Sequence, residues 1–141
     1  MSEVVVFDSG ALGALADDDP RIRALLRRIV EEHAVVCVPV VVLAECYGDQ
    51  RYDVRYDRAL DALGGFTSVV DLTARTAIDT GRLRNAAGLP GTETIEAIVV
   101  ATAASYPRAS IVTANVRHVR PLAACSERSL GLIDLNRLPV R

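Results

Sequence analysis

The chain has 141 residues, half of them hydrophobic, and a formal net charge of −2 at pH 7. That fits one domain with its own core over 1–141, and it argues against broad electrostatic binding to a polyanion while leaving room for a local basic groove. No apolar run approaches the ~18 residues of a membrane span, Met1-Ser2-Glu3 lacks the positive start of a signal peptide, and a chain whose 16 cationic residues are all arginine has no Gly-Lys for a Walker-type phosphate loop.

In chain order, Val4-Val5-Val6-Phe7 reads as a buried strand. Asp8 follows it at once. Burying an unpaired charge is expensive, so Asp8 is expected where the strand leaves the sheet, at its C-terminal edge. Open α/β sheets bind ligands at that edge. The competing structural reading makes Asp8 an N-cap for a short helix over Ser9 to Ala16. Asp19 and Pro20 then form a helix start, and Ile22, Leu25, Leu26 and Ile29 give that helix a core-facing stripe.

Ala34 to Val38 reads as a second buried strand. After Pro39, the run Val40 to Glu45 is open between strand and helix: the valines favour strand, while Pro39 suits a helix start. Gly48 to Gly65 is expected to be helical in its second half, with Leu60 and Leu63 inward. Arg51, Arg55 and Arg58 share a helical face there. Phe66 to Val70 is a third strand. Thr73 caps a helix whose inner face is expected to be Ala74, Ala77, Ile78 and Gly81, and Gly88 to Gly91 ends it. Thr92 opens a further helix with Glu93 and Glu96 in its first turns, where the helix dipole alone would account for both. Ala109 to Thr113 and Leu130 to Leu135 are the last two strands, with Asn115-Val116-Arg117-His118 between them. Strands alternating with helices, without tight hairpin signals, predict a parallel sheet of about five strands covered on both faces. Cys37, Cys46 and Cys125 fit neither zinc spacing nor a disulfide framework and are expected as reduced thiols.

In such a sheet, strand C-termini and helix N-termini share one edge, so Asp8, Glu45 and Glu96 can converge. Adjacent carboxylates stay ionised together only when cations neutralise them. Oxygen ligands select hard divalent ions, Mg²⁺ or Mn²⁺ rather than zinc. Such a site activates water and clamps phosphate oxygens.

Four blocks carry a family likeness: Val5-Val6-Phe7-Asp8-Ser9, Val41-Val42-Leu43-Ala44-Glu45, Glu96-Ala97-Ile98-Val99-Val100-Ala101-Thr102-Ala103, and Ile111-Val112-Thr113-Ala114-Asn115-Val116-Arg117-His118. In this order and spacing, the sequence resembles the PIN-domain ribonucleases, specifically the VapC-type toxins of bacterial toxin–antitoxin pairs. The resemblance implies a three-layer α/β/α sandwich, Glu45 on a helix, and a cytoplasmic endoribonuclease that hydrolyses RNA with Mg²⁺ or Mn²⁺. It implies catalytic Asp8, Glu45, Glu96 and Asn115, with metal held by Asp8, Glu45 and Glu96. Phosphate contacts fall to Arg51, Arg117 and His118. It further implies a homodimer and a cognate antitoxin. Departures from the family pattern are Glu96 in place of a usual aspartate, no acidic residue at Asn115 or His118, and Gly10 in place of a small hydroxyl residue. These departures define the alternative: a degenerate PIN fold that binds RNA or protein without cutting. An aspartate-phosphorylated domain fits less well, because such domains rely on a lysine.

Overall fold

The computed structural model describes residues 3–89 and 91–139; Met1, Ser2 and Pro90, which entered the sequence reading, lie outside them. Five strands, β1 Val4–Phe7, β2 Val35–Pro39, β3 Thr67–Val70, β4 Ala109–Thr113 and β5 Gly131–Asp134, form a single sheet in the order β3-β2-β1-β4-β5. Every pairing is parallel. Helices α1 Ser9–Ala16, α2 Pro20–Glu31, α3 Val40–Cys46, α4 Gln50–Leu63, α5 Ala74–Ala86, α6 Thr94–Ala104 and α7 Val116–Ala124 complete the sandwich. Helix α1 contacts α2 and α4, while α6 contacts α5 and α7. These are the two outer layers. Helix α3 touches both α1 and α6.

Strand β1 is the centre of the fold. Val5, Val6 and Phe7 are fully buried, which a strand covered on both faces requires of successive residues. Val5 lies opposite Val36 on one side and Ser110 on the other. Strand order reverses at β1, since the chain builds outward to β3 and then returns to place β4 against β1's free side. A crevice outside the strand C-termini is expected at such a switch point.

The helix boundaries follow from local chemistry. Asp19 accepts from the Arg21 amide at 2.9 Å with Pro20 in the first helical position, and Ile22, Leu25 and Ile29 are the buried stripe of α2. After Pro39, which ends β2 in extended conformation and is the N-cap of α3, the chain is helical despite the β-propensity of the three valines. Helix α4 starts earlier than expected, because Asp49 caps it through the Arg51 amide at 3.0 Å.

Three expectations need correction. Ala74, Ala77, Ile78 and Gly81 face outward on α5, with Ile78 54 % exposed; the buried residues are Thr80 and Leu83. The Thr80 hydroxyl donates to the Thr76 carbonyl at 2.7 Å, and a hydroxyl satisfied within its own helix packs like a small apolar group. Thr92 belongs to a 3₁₀ turn over Gly91–Glu93, and α6 begins at Thr94. Helix α7 has no counterpart among the expected elements; it forms although Pro121 lies inside it, with Val119 and Leu122 buried.

Candidate functional site

The chain passes from β1 to α1 through a single residue, Asp8. Its Oδ1 accepts from the Ala11 amide at 2.9 Å, making it the N-cap of α1. The capping reading holds, and a carboxylate keeps acceptor capacity for other partners. One of these is the Thr113 hydroxyl, which donates to Asp8 and accepts from the Asn115 amide at 2.8 Å. Thr113 is fully buried at the end of β4. It ties the first strand's carboxylate to the turn that carries Asn115.

Burial pushes the Asp8 carboxyl above the ordinary carboxylate range, and the Glu45 charge pushes it the same way; bonds from Thr113 and from the Ala11 and Gly10 amides oppose the shift. A carboxyl with a raised folded-state pKa stabilises the fold most below its ordinary pKa. That contribution is lost as pH rises through the folded-state value. Without a neighbouring cation, ionised Asp8 therefore works against the fold at neutral pH. A cation beside it would remove that cost.

Glu45 sits in the last turn of α3 and Glu96 in the first turn of α6. Asn115 occupies the N-cap position of α7 without a capping side-chain bond. Together with Asp8, Ser9 and Gly10 these side chains line one cavity of about 120 Å³, walled on its apolar side by Ile95, Val99 and Val119. Four of the predicted site residues, Asp8, Glu45, Glu96 and Asn115, thus share one cavity. Gly10 has a packing reason. A Cβ there would meet the Ala114 Cβ at 3.1 Å, so a larger residue would crowd the turn after β4.

The donor set is three carboxylates and an amide, which suits a hard divalent ion. Among the described residues, one trio has its ligand atoms all within 4.8 Å of one another: Glu93, Glu96 and His118. Asp8, Glu45 and Glu96 do not form such a trio among the described residues. Mg²⁺ does not require one, since it usually keeps several waters and takes one or two carboxylates.

The predicted phosphate contacts lie outside the cavity lining. Arg51 pairs with Asp49 at 2.8 Å and stacks over the Tyr52 ring, as does Arg55. Arg117 is exposed in the first turn of α7. His118 Nδ1 lies 2.9 Å from Glu93 Oε2. Sequence reasoning missed Glu93, which it assigned to the helix dipole, and Thr113, which it read only as strand. The acidic spacing Glu93–Glu96 was the available signal for the first, and nothing local marked the second. The Cys46 thiol is pushed up to about 11, chiefly by burial. It stays protonated at neutral pH and so lacks the thiolate that nucleophilic chemistry needs.

Thr113→Val is expected to lower stability by about 1–2 kcal/mol, because the Asn115 amide loses its acceptor. It should also move the Asp8 carboxyl titration to higher pH, because a bond that lowers the pKa is removed. Urea unfolding and carboxyl-carbon NMR read the two effects. An unchanged titration would show that Thr113 does not hold Asp8.

A family model described as PIN domain matches residues 5–121. No curated protein matches the sequence. Among solved structures, the chain is similar to one from VapBC2 of Rickettsia felis bound to a DNA fragment from the promoter, with TM-score 0.66 and 16% identity over 93% of this chain and 98% of that one. It is also similar to one from DNA-bound VapBC of Salmonella typhimurium, with TM-score 0.63 and 19% identity over 93% and 97% of the two chains. At these identities the likeness is one of fold.

Proposed function

The chain belongs to the PIN domain family, and from that premise we propose that it is a divalent-metal-dependent endoribonuclease, the toxin of a toxin–antitoxin pair. The observation that carries this reading is the cavity shared by Asp8, Glu45, Glu96 and Asn115 at the C-terminal edge of the sheet. Bound there, Mg²⁺ or Mn²⁺ would supply an activated water and neutralise charge on the phosphodiester.

The chain's own residues divide the remaining work. Asp8 and Glu96 would hold the ion from the end of β1 and the start of α6. Glu45, lining the same cavity from α3, would ligate it or orient the attacking water and accept its proton. Asn115 fixes the water or a phosphate oxygen through its side-chain amide. Exposed Arg117, two residues along α7, contacts the RNA backbone. Arg51 does the same once it exchanges Asp49 for a phosphate, since guanidinium recognises both bidentately. Ion pairs at such exposed positions are worth little, so that exchange is inexpensive.

The antitoxin assignment is supported by the two similar structures, both of which are VapBC assemblies. A homodimer and a cytoplasmic location belong to the same reading through the family resemblance.

The test is incubation of the purified protein with a pool of structured cellular RNAs in Mg²⁺, Mn²⁺ or EDTA. Discrete products with either ion and none with EDTA are expected. A folded protein that cuts nothing under any condition would replace this reading with the non-catalytic binding module.

A further inference from the structure

The edge that carries the cavity continues onto the start of α4. The strands are parallel and α4 leads into β3, which begins at the opposite edge, so α4 itself starts where β2 ends and Asp8 stands. Three of the chain's four tyrosines lie here, at positions 47, 52 and 56. Two of them are built into the fold. Tyr56 is bonded to the Cys46 thiol, and that thiol lies 3.8 Å from the carbonyl of Ser9, which lines the cavity. The Tyr47 ring centroid is 5.4 Å from that of Tyr56, and its hydroxyl donates to Asp57 at 2.7 Å.

Tyr52 differs from both. It stands in the first turn of α4, one helical turn before Tyr56, and is 47% exposed. The guanidinium groups of Arg51 and Arg55 lie over its ring, 5.6 and 5.2 Å from the centroid. A ring carried on a rigid helix start and flanked by cations has what an unpaired nucleotide needs: a π-face for the base and guanidinium groups for its phosphates. Bulk charge does not draw a strand here, because Arg51, Arg55 and Arg58 are matched by Asp49, Asp53 and Asp57. Stacking must then supply the preference, and bases already stacked and paired in a duplex have no face to offer the ring. The Arg51 side chain is 80% exposed, and its pair with Asp49 is a surface contact of little worth, so it can leave the ring cheaply.

We propose that Tyr52 is a base-stacking platform beside the cavity. An unpaired nucleotide outside the cleaved bond stacks on the ring in place of the Arg51 guanidinium, which moves to the nucleotide's phosphate. This rests on the RNA substrate of the nuclease reading and adds that the strand bound at α4 is single.

Short single-stranded RNAs, each with 2-aminopurine at one position, are the probe. The chain has no tryptophan, so the base's emission is read without a protein background. In EDTA, where no cleavage is expected, the intact wild-type protein should bind these RNAs and quench the emission of at least one of them. The same RNAs annealed to their complements should show neither effect. Tyr52→Ala should weaken single-strand binding about tenfold or more and abolish the quenching. Tyr52→Phe, which keeps the ring, should restore both. In cleavage assays with Mg²⁺, Tyr52→Ala should raise KM while leaving kcat within about twofold, the mark of binding that is equal in ground and transition states. Equal quenching by wild type and Tyr52→Ala, no quenching by the wild type, or failure of Tyr52→Phe to restore it would overturn the platform. Cleavage that persists through any of these results leaves the nuclease reading standing. Tyr52-dependent quenching by a protein that cuts nothing would instead keep the platform and remove the nuclease.

Discussion

Asp8→Asn is expected to abolish RNA cleavage, by on the order of a hundredfold or more, while the protein stays folded. Loss of an outer-shell partner of a metal ligand already costs about 10–100-fold, and Asp8 is assigned to the ion directly. The substitution separates the capping role of Asp8 from its proposed metal role. Asparagine is as good an N-cap as aspartate, so its side-chain oxygen can keep the 2.9 Å bond from the Ala11 amide. The charge and one acceptor oxygen are lost. Because ionised Asp8 works against the metal-free fold at neutral pH, the variant should melt no lower than the wild type in EDTA. Mn²⁺ should then raise the melting temperature of the wild type more than that of the variant. Asp8→Ala, by contrast, also removes the cap and should cost about 1 kcal/mol of stability. Undiminished cleavage by Asp8→Asn would remove Asp8 from the mechanism.

Phe7→Ala should have the largest effect on stability, about 3–5 kcal/mol. Phe7 is fully buried in β1, the strand flanked on both sides by β2 and β4. A whole domain is typically stable by about 5–15 kcal/mol, so this one substitution removes a large part of the total. It also loosens the residue that fixes Asp8 at the sheet edge, so cleavage should fall with stability. Urea unfolding followed by circular dichroism measures the loss; a change below about 1 kcal/mol would mean that the core closes around the gap.

The parts of the fold that follow from apolar runs were legible in the sequence. Val4 to Phe7 and Ala109 to Thr113 read as buried strands because both faces of the sheet are covered, and so did the capped start of α2 at Asp19 and Pro20. What failed was orientation and polarity. On α5 the outward Ala74, Ala77 and Ile78 looked like a core face, and the inward Thr80 did not, because a hydroxyl bonded within its own helix hides its polarity. The run after Pro39 was undecidable locally, since propensity and capping pointed opposite ways; the family resemblance, not the residues, assigned it to helix.

At the site, the convergence of Asp8 and Glu96 could be argued from topology alone, because one follows a strand and the other opens a helix at one edge; Glu45, at the end of the apolar run after Pro39, lies instead in the last turn of α3. The roles of Thr113 and Glu93 could not. A buried threonine at a strand end has no local mark of function, and its bonds to Asp8 and Asn115 join residues far apart in sequence. Glu93 meets His118 across 25 positions, and a helix dipole explains an acidic first turn equally well from sequence.

The most direct measurement is the chemistry of the RNA ends. Water attacking phosphorus in a metal-assisted displacement leaves a monophosphate on one fragment and a free hydroxyl on the other. Attack by the RNA's own 2′-hydroxyl leaves a 2′,3′-cyclic phosphate instead. Mass spectrometry of the fragments should find only simple phosphate and hydroxyl ends, formed with Mg²⁺ or Mn²⁺ and absent with EDTA. Cyclic phosphate ends, formed equally well in EDTA, would contradict hydrolysis at the Asp8–Glu45–Glu96 cavity.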